Sequence, residues 1–357
     1  MPKLLLTGYL GCGNLGDDAI LAGMLNGLAG KGFEVSVMSG APEETFRNYG
    51  ISSVPRMEMS AVKSAMESHD ALVFIGGSIF QDASSVRSVA YYQNLVSLAA
   101  KAGKKVIFLG QGVGPLTSFF GKKLAAKAFN ASHLVTVRDQ ASMSTLRDIG
   151  YKGAPRMAGD GAFLLEKPEH RENEGSFQVG NMKSVGISVR PIPAAKGTNI
   201  VQIFGDLCKM LYQKGYMPVL IEMDRVHDGP VITEIEKTQG GKVPSIRKIA
   251  TPMEMQRRMM RMDGLIGMRL HSGILAVTVD MVPYMINYDP KVLAFANAFG
   301  LPSPPGLQGL TAGRILDGFF ALQEQRETLL QTVKAKREEA KRLAMVNVDT
   351  LVECFRG

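Results

Sequence analysis

Apolar runs of four to six residues recur along the chain, separated by longer stretches with helical spacing. The first set is residues 4–7, 35–38, 72–75, 106–109 and 134–137. Runs this short, bounded by glycine and joined by helical stretches, predict strands buried on both faces of a parallel sheet. Residues 166–183, EKPEHRENEGSFQVGNMK, interrupt the pattern with polar and turn-forming residues. The alternation then resumes at 185–189, 218–221, 265–268 and 284–288. The expected fold class is α/β, with two tandem Rossmann-like domains facing a cleft. The expected boundaries are 1–168 for the first domain, 169–183 for the linker and 184–357 for the second. Thr251-Pro252-Met253-Glu254 is a capping box with proline at the first helical position, so a helix should run from there to about Met262. A long C-terminal helix is expected over 321–344, packed by the face that carries Leu322, Leu329, Val333 and Ala340.

Composition narrows the class. A chain of 357 residues favours two domains. Three cysteines, Cys12, Cys208 and Cys354, provide neither a disulfide framework nor a metal-binding pair, and fit a reducing, cytoplasmic compartment. The N-terminal sequence lacks the apolar stretch of a signal peptide. The longest apolar window, 265–286, is broken by Arg269, His271 and Asp280, too soon for a membrane span. The net charge of +8 suggests a polyanionic partner. Its lysines and arginines are dispersed, few aromatics interleave with them, and no nucleic-acid-binding motif appears, so nucleic acid is not expected. A small anionic substrate or an anionic membrane surface remains.

In open α/β sheets ligands bind beyond the carboxyl ends of the strands. The segments that follow the predicted strands are glycine-rich or charged. They include Gly8 to Asp18, Gly76 to Asp82, Gly110 to Pro115, Arg138-Asp139, Arg190, Arg269 to Ser272 and Asp289 to Lys291. The first loop matches G-x-G-x-x-G at Gly11, Gly13 and Gly16. Asp17 and Asp18 then stand where a dinucleotide pyrophosphate would lie, so a capped turn is an equal reading. Asn14 and Asp17 could instead hydrogen-bond a sugar hydroxyl or orient one for attack. Arg269 and His271, on one side of an extended segment, would pair a cation with a titratable imidazole. Arg138 and Lys291 could join Arg269 around an anion. A structural ion pair for Arg269 and a helix cap for His271 are the plainer alternatives. No metal-ligand spacing is present. His69, His170 and His227 read as surface residues, and His133 as partly buried.

Six segments in order, GYLGCGNLGDDAIL, FIGGSIFQDASSVRSVAYY, VIFLGQGVGPL, VTVRDQAS, GLIGMRLHSGILA and INYDPKVLAF, resemble the polysaccharide pyruvyl transferase family, specifically its CsaB-type branch linked to cell-surface anchoring. The resemblance runs from Gly8 to Phe295. The sequence differs from the family pattern at Cys12, at Asp17-Asp18, and at Gly76-Gly77-Ser78, where a triple glycine is expected. The resemblance implies a GT-B-like fold. It implies transfer of the pyruvyl group of phosphoenolpyruvate as a ketal onto N-acetylmannosamine of a lipid-linked cell-wall polysaccharide precursor. Phosphate is released, and the product anchors S-layer-homology proteins. It makes His271 and Arg269 catalytic and has Arg138, Arg269 and Lys291 bind phosphoenolpyruvate. Gly13, Asn14, Gly16, Asp17, Gly77, Gln81, Asp82 and Gln111 belong to loops on the acceptor side. Phosphoenolpyruvate is a substrate and no cofactor is expected. A peripheral position at the inner membrane face would suit such an acceptor. A GT-B glycosyltransferase using a nucleotide sugar is the alternative, with Glu222 or Asp224 as the ribose-binding carboxylate.

Overall fold

Leucines 4, 5 and 6 are all buried, as suits Lys3–Thr7, an interior strand, β1, of the first sheet. The computed structural model describes residues 1–83, 85–169, 182–192 and 198–356. It divides into two units, one of Met1–Cys12, Asp17–Leu165 and the chain from Glu339, the other of Gly13–Gly16 and Glu166–Glu338. After β1 come α1 (Leu15–Leu28), β2 (Glu34–Ser39), α2 (Pro42–Tyr49), β3 (Ser52–Pro55), α3 (Met59–Ser68) and β4 (Ala71–Phe74). Then follow α4 (Val86–Lys101), β5 (Lys105–Gln111), α5 (Phe119–Asn130), β6 (Leu134–Val137), α6 (Gln140–Asp148) and β7 (Arg156–Met157).

The strands of this first unit are all parallel, in the order β3-β2-β1-β4-β5-β6-β7. The order reverses between β1 and β4, and in open α/β sheets the loops after such a pair of strands are where ligands bind. Phe74, Phe80, Phe108, Phe129 and Tyr92 form the aromatic centre of the core, with the Phe108 ring stacked on Phe74 and tilted against Phe129, both centroids 4.5 Å away.

The second unit contains β8 (Lys183–Ser188), α7 (Ile200–Gln213), β9 (Tyr216–Ile221), α8 (Asp228–Thr238), β10 (Ser245–Ile246), α9 (Pro252–Met259) and β11 (Gly264–Gly267). It continues with α10 (Leu270–Thr278), β12 (Pro283–Met285), α11 (Pro290–Ala298) and α12 (Ala312–Glu324). Its parallel order is β10-β9-β8-β11-β12, which places the reversal between β8 and β11. Thr251 caps α9 through Glu254 N at 3.2 Å, as the sequence requires.

Three strands carry no apolar run that marks them in sequence. β3 is SSVP, and β7 and β10 are two-residue edge strands. The expected C-terminal helix is two: α12, and after a break at Gln325, α13 (Arg326–Arg356). Residues of α13 from Glu339 on belong to the first unit because Asn347, fully buried there, donates to Gly159 O at 2.9 Å. Ala344, Val348 and Leu351 are buried around it. Two histidines differ from expectation. His69 is buried, its Nδ1 2.6 Å from Ala65 O, and His133 is exposed. His170 and most of the expected linker 169–183 lie outside the described residues. No helix among the described residues is long and apolar enough to cross a membrane.

Candidate active site

In the second unit, charge collects where β9 and β11 end. The β9–α8 loop begins with Glu222, Met223 and Asp224, and Asp228 opens α8, its Oδ2 accepting from the backbone of Met223 and Asp224 at 3.1 and 3.0 Å. Asp228 is fully buried. Its other oxygen receives the Arg269 guanidinium through both Nε and Nη2, with Nε at 3.1 Å. Asp224 adds a second carboxylate 3.5 Å from Arg269 Nη2. Burial pushes the Asp228 carboxyl up, against the lowering pull of Arg269. The structural ion pair thus exists, and it fixes the guanidinium plane at the end of β11. Losing one member of such a pair costs about 3–5 kcal/mol.

Arg269 is the residue that caps α10, and His271 lies in the first turn of that helix. The extended segment expected to point both side chains one way is therefore absent. Helix formation at Leu270 separates them, because Ser272 N bonds back to Arg269 O at 3.0 Å. What positions His271 instead is the first glycine loop. Leu15 N donates to Met223 O and Arg225 N to Gly13 O, both at 2.8 Å, and Asn14 forms a β-bridge with Asp224. Asn14 Oδ1 then caps α1 by accepting from Gly16 N at 2.9 Å. The α-carbon of Gly16 faces the imidazole so closely that a Cβ there would sit 2.5 Å from Nδ1 of His271. Gly13, Asn14, Gly16, Arg269 and His271 are thereby brought into one cluster.

Sequence reasoning missed the groups that hold this cluster. Asp228 is one of them, and His227, exposed as expected, adds a contact from its Nδ1 to Asp224 Oδ2 at 2.8 Å. The D-x-x-x-D spacing after β9 was the available signal. Arg190, after β8, donates to Tyr288 Oη at 3.0 Å and lies 4.7 Å from that ring's centroid. β8 and β12 both flank β11, so this contact links the loops on either side of Arg269. Lys291 lies on the same edge, its Nζ 3.6 Å from Asp289 Oδ2 and 6.0 Å from the Tyr288 ring centroid.

The first unit holds a separate polar network at the ends of β4, β5 and β6. Arg138 bonds Asp160 Oδ2 at 2.6 Å and Ser78 Oγ at 2.8 Å. Gln111, fully buried, donates to Gly77 O at 2.6 Å. Gly77 has a positive φ of 74°, and a Cβ there would meet Asp17 Oδ1 at 2.8 Å. Asp17, Gly77, Gln111 and Arg138 thus come together. Asp18 accepts from Gly11 N at 2.9 Å, so a backbone donor of the glycine loop serves a carboxylate of the chain itself. Gln81 and Asp82 hold turns: Gln81 Oε1 accepts from Ala83 N at 2.9 Å, and Asp82 binds Thr117 and Ser118. Arg56, overlooked in the sequence, is buried among the rings of Tyr9, Tyr91 and Tyr92 and donates to Tyr92 Oη at 3.0 Å.

Comparison with known proteins bears on the family and the fold. Residues 14–290 match the family model described as polysaccharide pyruvyl transferase. The amylovoran biosynthesis protein AmsJ of Erwinia amylovora is 24% identical over 403 residues, covering 94% of this chain and 96% of that protein. Among solved structures, MnaA of S. aureus with UDP gives a TM-score of 0.67 at 12% identity, covering 98% of this chain and 95% of that one. The UDP-GlcNAc 2-epimerase of Neisseria meningitidis gives 0.61 at 11% identity, covering 99% and 100%. At such identities the likeness is one of fold, and it is the GT-B-like α/β fold expected from the sequence.

Proposed function

From the premise that the chain belongs to the polysaccharide pyruvyl transferase family, we propose that it transfers the pyruvyl group of phosphoenolpyruvate to a sugar as a ketal. The acceptor is a lipid-linked cell-wall polysaccharide precursor and the sugar is N-acetylmannosamine, as in the CsaB-type branch. The ketal carboxylate then serves recognition by S-layer-homology proteins. A relative named for amylovoran biosynthesis supports a polysaccharide as the acceptor class.

The observation that carries this reading is the seating of His271 on Gly16, at the end of the same strand where Asp228 fixes the Arg269 guanidinium. Phosphoenolpyruvate is an enol phosphate. His271 protonates its methylene carbon, the neighbouring carbon becomes electrophilic, and a sugar hydroxyl adds there while giving its proton back to His271. The C–O bond to phosphate then breaks, and a second hydroxyl of the same sugar closes the ketal. Its proton leaves with the phosphate, so one enol phosphate and two hydroxyls give one ketal and one hydrogen phosphate. Arg269, Arg138 and Lys291 are assigned to the donor's phosphate and carboxylate, where fixed cations favour phosphate departure. Asn14, Asp17, Gly77 and Gln111 are assigned to acceptor hydroxyls.

The nucleotide-sugar alternative requires a carboxylate available to ribose. Glu222 instead accepts from Lys248 N at 2.9 Å, and Asp224 accepts from Val226 N and His227 N, each at 3.1 Å. The deciding experiment measures phosphate release from phosphoenolpyruvate with a lipid-linked N-acetylmannosamine acceptor. Near wild-type turnover in His271→Ala would remove the role assigned to His271. Thermal stabilisation by UDP or GDP, and not by phosphoenolpyruvate, would favour the glycosyltransferase.

A further inference from the structure

Helix α5 presents two opposite faces. Gly121, Ala125, Ala128 and Phe129 are buried in the first unit. Phe120, Lys123 and Lys127, at helical spacing on the other side, are exposed, as are Phe119 and Lys122 beside them. Phe119 and Phe120 are 72% and 69% exposed and pack edge-to-face against each other, ring centroids 5.8 Å apart. Two adjacent phenylalanines left in water at the tip of a helix represent apolar area that the fold does not use.

Their position is rigid. Asp82 accepts four hydrogen bonds, from the backbone and hydroxyl of both Thr117 and Ser118, at 2.6 to 3.1 Å. Ser118 Oγ in turn caps α5 by accepting from Gly121 N at 3.0 Å. A side chain at Gly121 would collide with Asp82, its Cβ 2.4 Å from Oδ2. The chain entering the aromatic pair is therefore clamped immediately before Phe119, and little freedom remains to be lost on docking.

Along the chain on either side of the pair the charge is of one sign. Between Asp82 and Asp139 the sequence contains no acidic residue. It contains eight basic ones: Arg87, Lys101, Lys104, Lys105, Lys122, Lys123, Lys127 and Arg138. This one stretch carries a charge equal to the net +8 of the whole chain. The two carboxylates that bound this stretch are both engaged, Asp82 in the clamp and Asp139 at the start of α6, where it accepts from Ser142 N at 2.7 Å.

We propose that the α5 tip, with Phe119 and Phe120 inserted and Lys122, Lys123 and Lys127 alongside, docks the protein on an anionic lipid bilayer surface. Phenyl rings partition into the boundary between headgroups and acyl chains, and lysines attract anionic headgroups. The docking deepens the proposed function, since it rests on the lipid-linked acceptor for its purpose but not for its physics.

The test is co-sedimentation of the full chain with vesicles of phosphatidylcholine containing one third phosphatidylglycerol, and with vesicles of phosphatidylcholine alone. The expected result is binding to the anionic vesicles that weakens with salt, and little binding to the neutral ones. Phe119→Ser with Phe120→Ser should weaken binding by at least about tenfold. Lys122→Glu with Lys123→Glu should lose roughly fivefold or more per lysine. Both pairs should keep wild-type phosphate release with a water-soluble saccharide acceptor, so failure of the donor chemistry and failure of the docking show separately. Unchanged vesicle binding in both variants would overturn the proposal. So would a wild-type dimer that Phe119→Ser with Phe120→Ser turns monomeric without affecting vesicle binding.

Discussion

The imidazole of His271 rests on the α-carbon of Gly16, and a Cβ added there would lie 2.5 Å from Nδ1 and 2.7 Å from the neighbouring ring carbon. Gly16 is not needed for its backbone angles, since it is the second residue of an ordinary helix. It is needed for the space it leaves. Gly16→Ala should therefore fold and yet displace the ring. Misplacing a catalytic group by about 1 Å costs on the order of 100-fold, so kcat should fall by about 10- to 100-fold with a smaller change in KM. Steady-state kinetics beside a thermal melt will show this. Wild-type kcat in a folded Gly16→Ala protein would mean that the contact does not orient His271.

Asp228 predicts a pH dependence. Burial raises its carboxyl above the ordinary value of 3.8. A raised carboxyl in the folded state means that the fold favours the protonated form. Its contribution to stability is thus complete below 3.8 and is lost as pH rises through the raised value. Activity should move in the opposite direction. Protonation removes the charge that holds Arg269, so kcat/KM should fall as pH drops through that raised value. Asp228→Asn should lose activity at neutral pH and lack this acid limb. An identical acid limb in Asp228→Asn would assign it to another group.

Particular residues show how far the sequence could be read. The central strands were legible because their apolar runs are complete, as in LLL of β1 and LVF of β4. β7 and β10 were not, since two-residue edge strands have no period. The end of α13 could not be assigned to the first unit from its pattern alone, because that assignment depends on Asn347 reaching Gly159, 188 residues away. At the site, Arg269 and His271 were visible from their place after a strand. Their geometry was not: helix α10 begins between them, and Gly16, 255 positions earlier, sets the imidazole. Such separations arise from packing and leave no local spacing to read.

Arg138 combines a proposed donor-binding role with a structural one, and the two can be separated. Its side chain is 8% exposed and its partner Asp160, at 2.6 Å, 7%. Asp160 also accepts from Ala162 N at 3.0 Å. Arg138→Met should leave that carboxylate without its cation and cost about 3–5 kcal/mol, while Arg138→Met with Asp160→Asn should recover much of the loss. If Arg138 also holds phosphoenolpyruvate, the recovered double variant will remain poor in kcat/KM for the donor. Denaturant melts and donor-dependent kinetics on both variants make the distinction. Full activity in the stable double variant would confine Arg138 to the fold.

The Asp82 clamp should be resistant to acid. Desolvation pushes its carboxyl up, but the hydrogen bonds from Ser118 and Thr117 outweigh this and bring it to about 2. Because the folded value lies below the ordinary 3.8, the clamp is at full strength above 3.8 and is lost as pH falls through about 2. Segment-resolved hydrogen exchange should find residues 117–121 nearly as protected at about pH 4 as at neutral pH once intrinsic rates are corrected. Asp82→Asn keeps the side chain's shape but loses the charge and one acceptor oxygen, so it should open the segment at neutral pH. It should also weaken binding to anionic vesicles, even though it makes the protein more positive, because Phe119 and Phe120 would lose their fixed position. Tighter vesicle binding in Asp82→Asn would show that charge alone, and not the clamped aromatic pair, governs the docking.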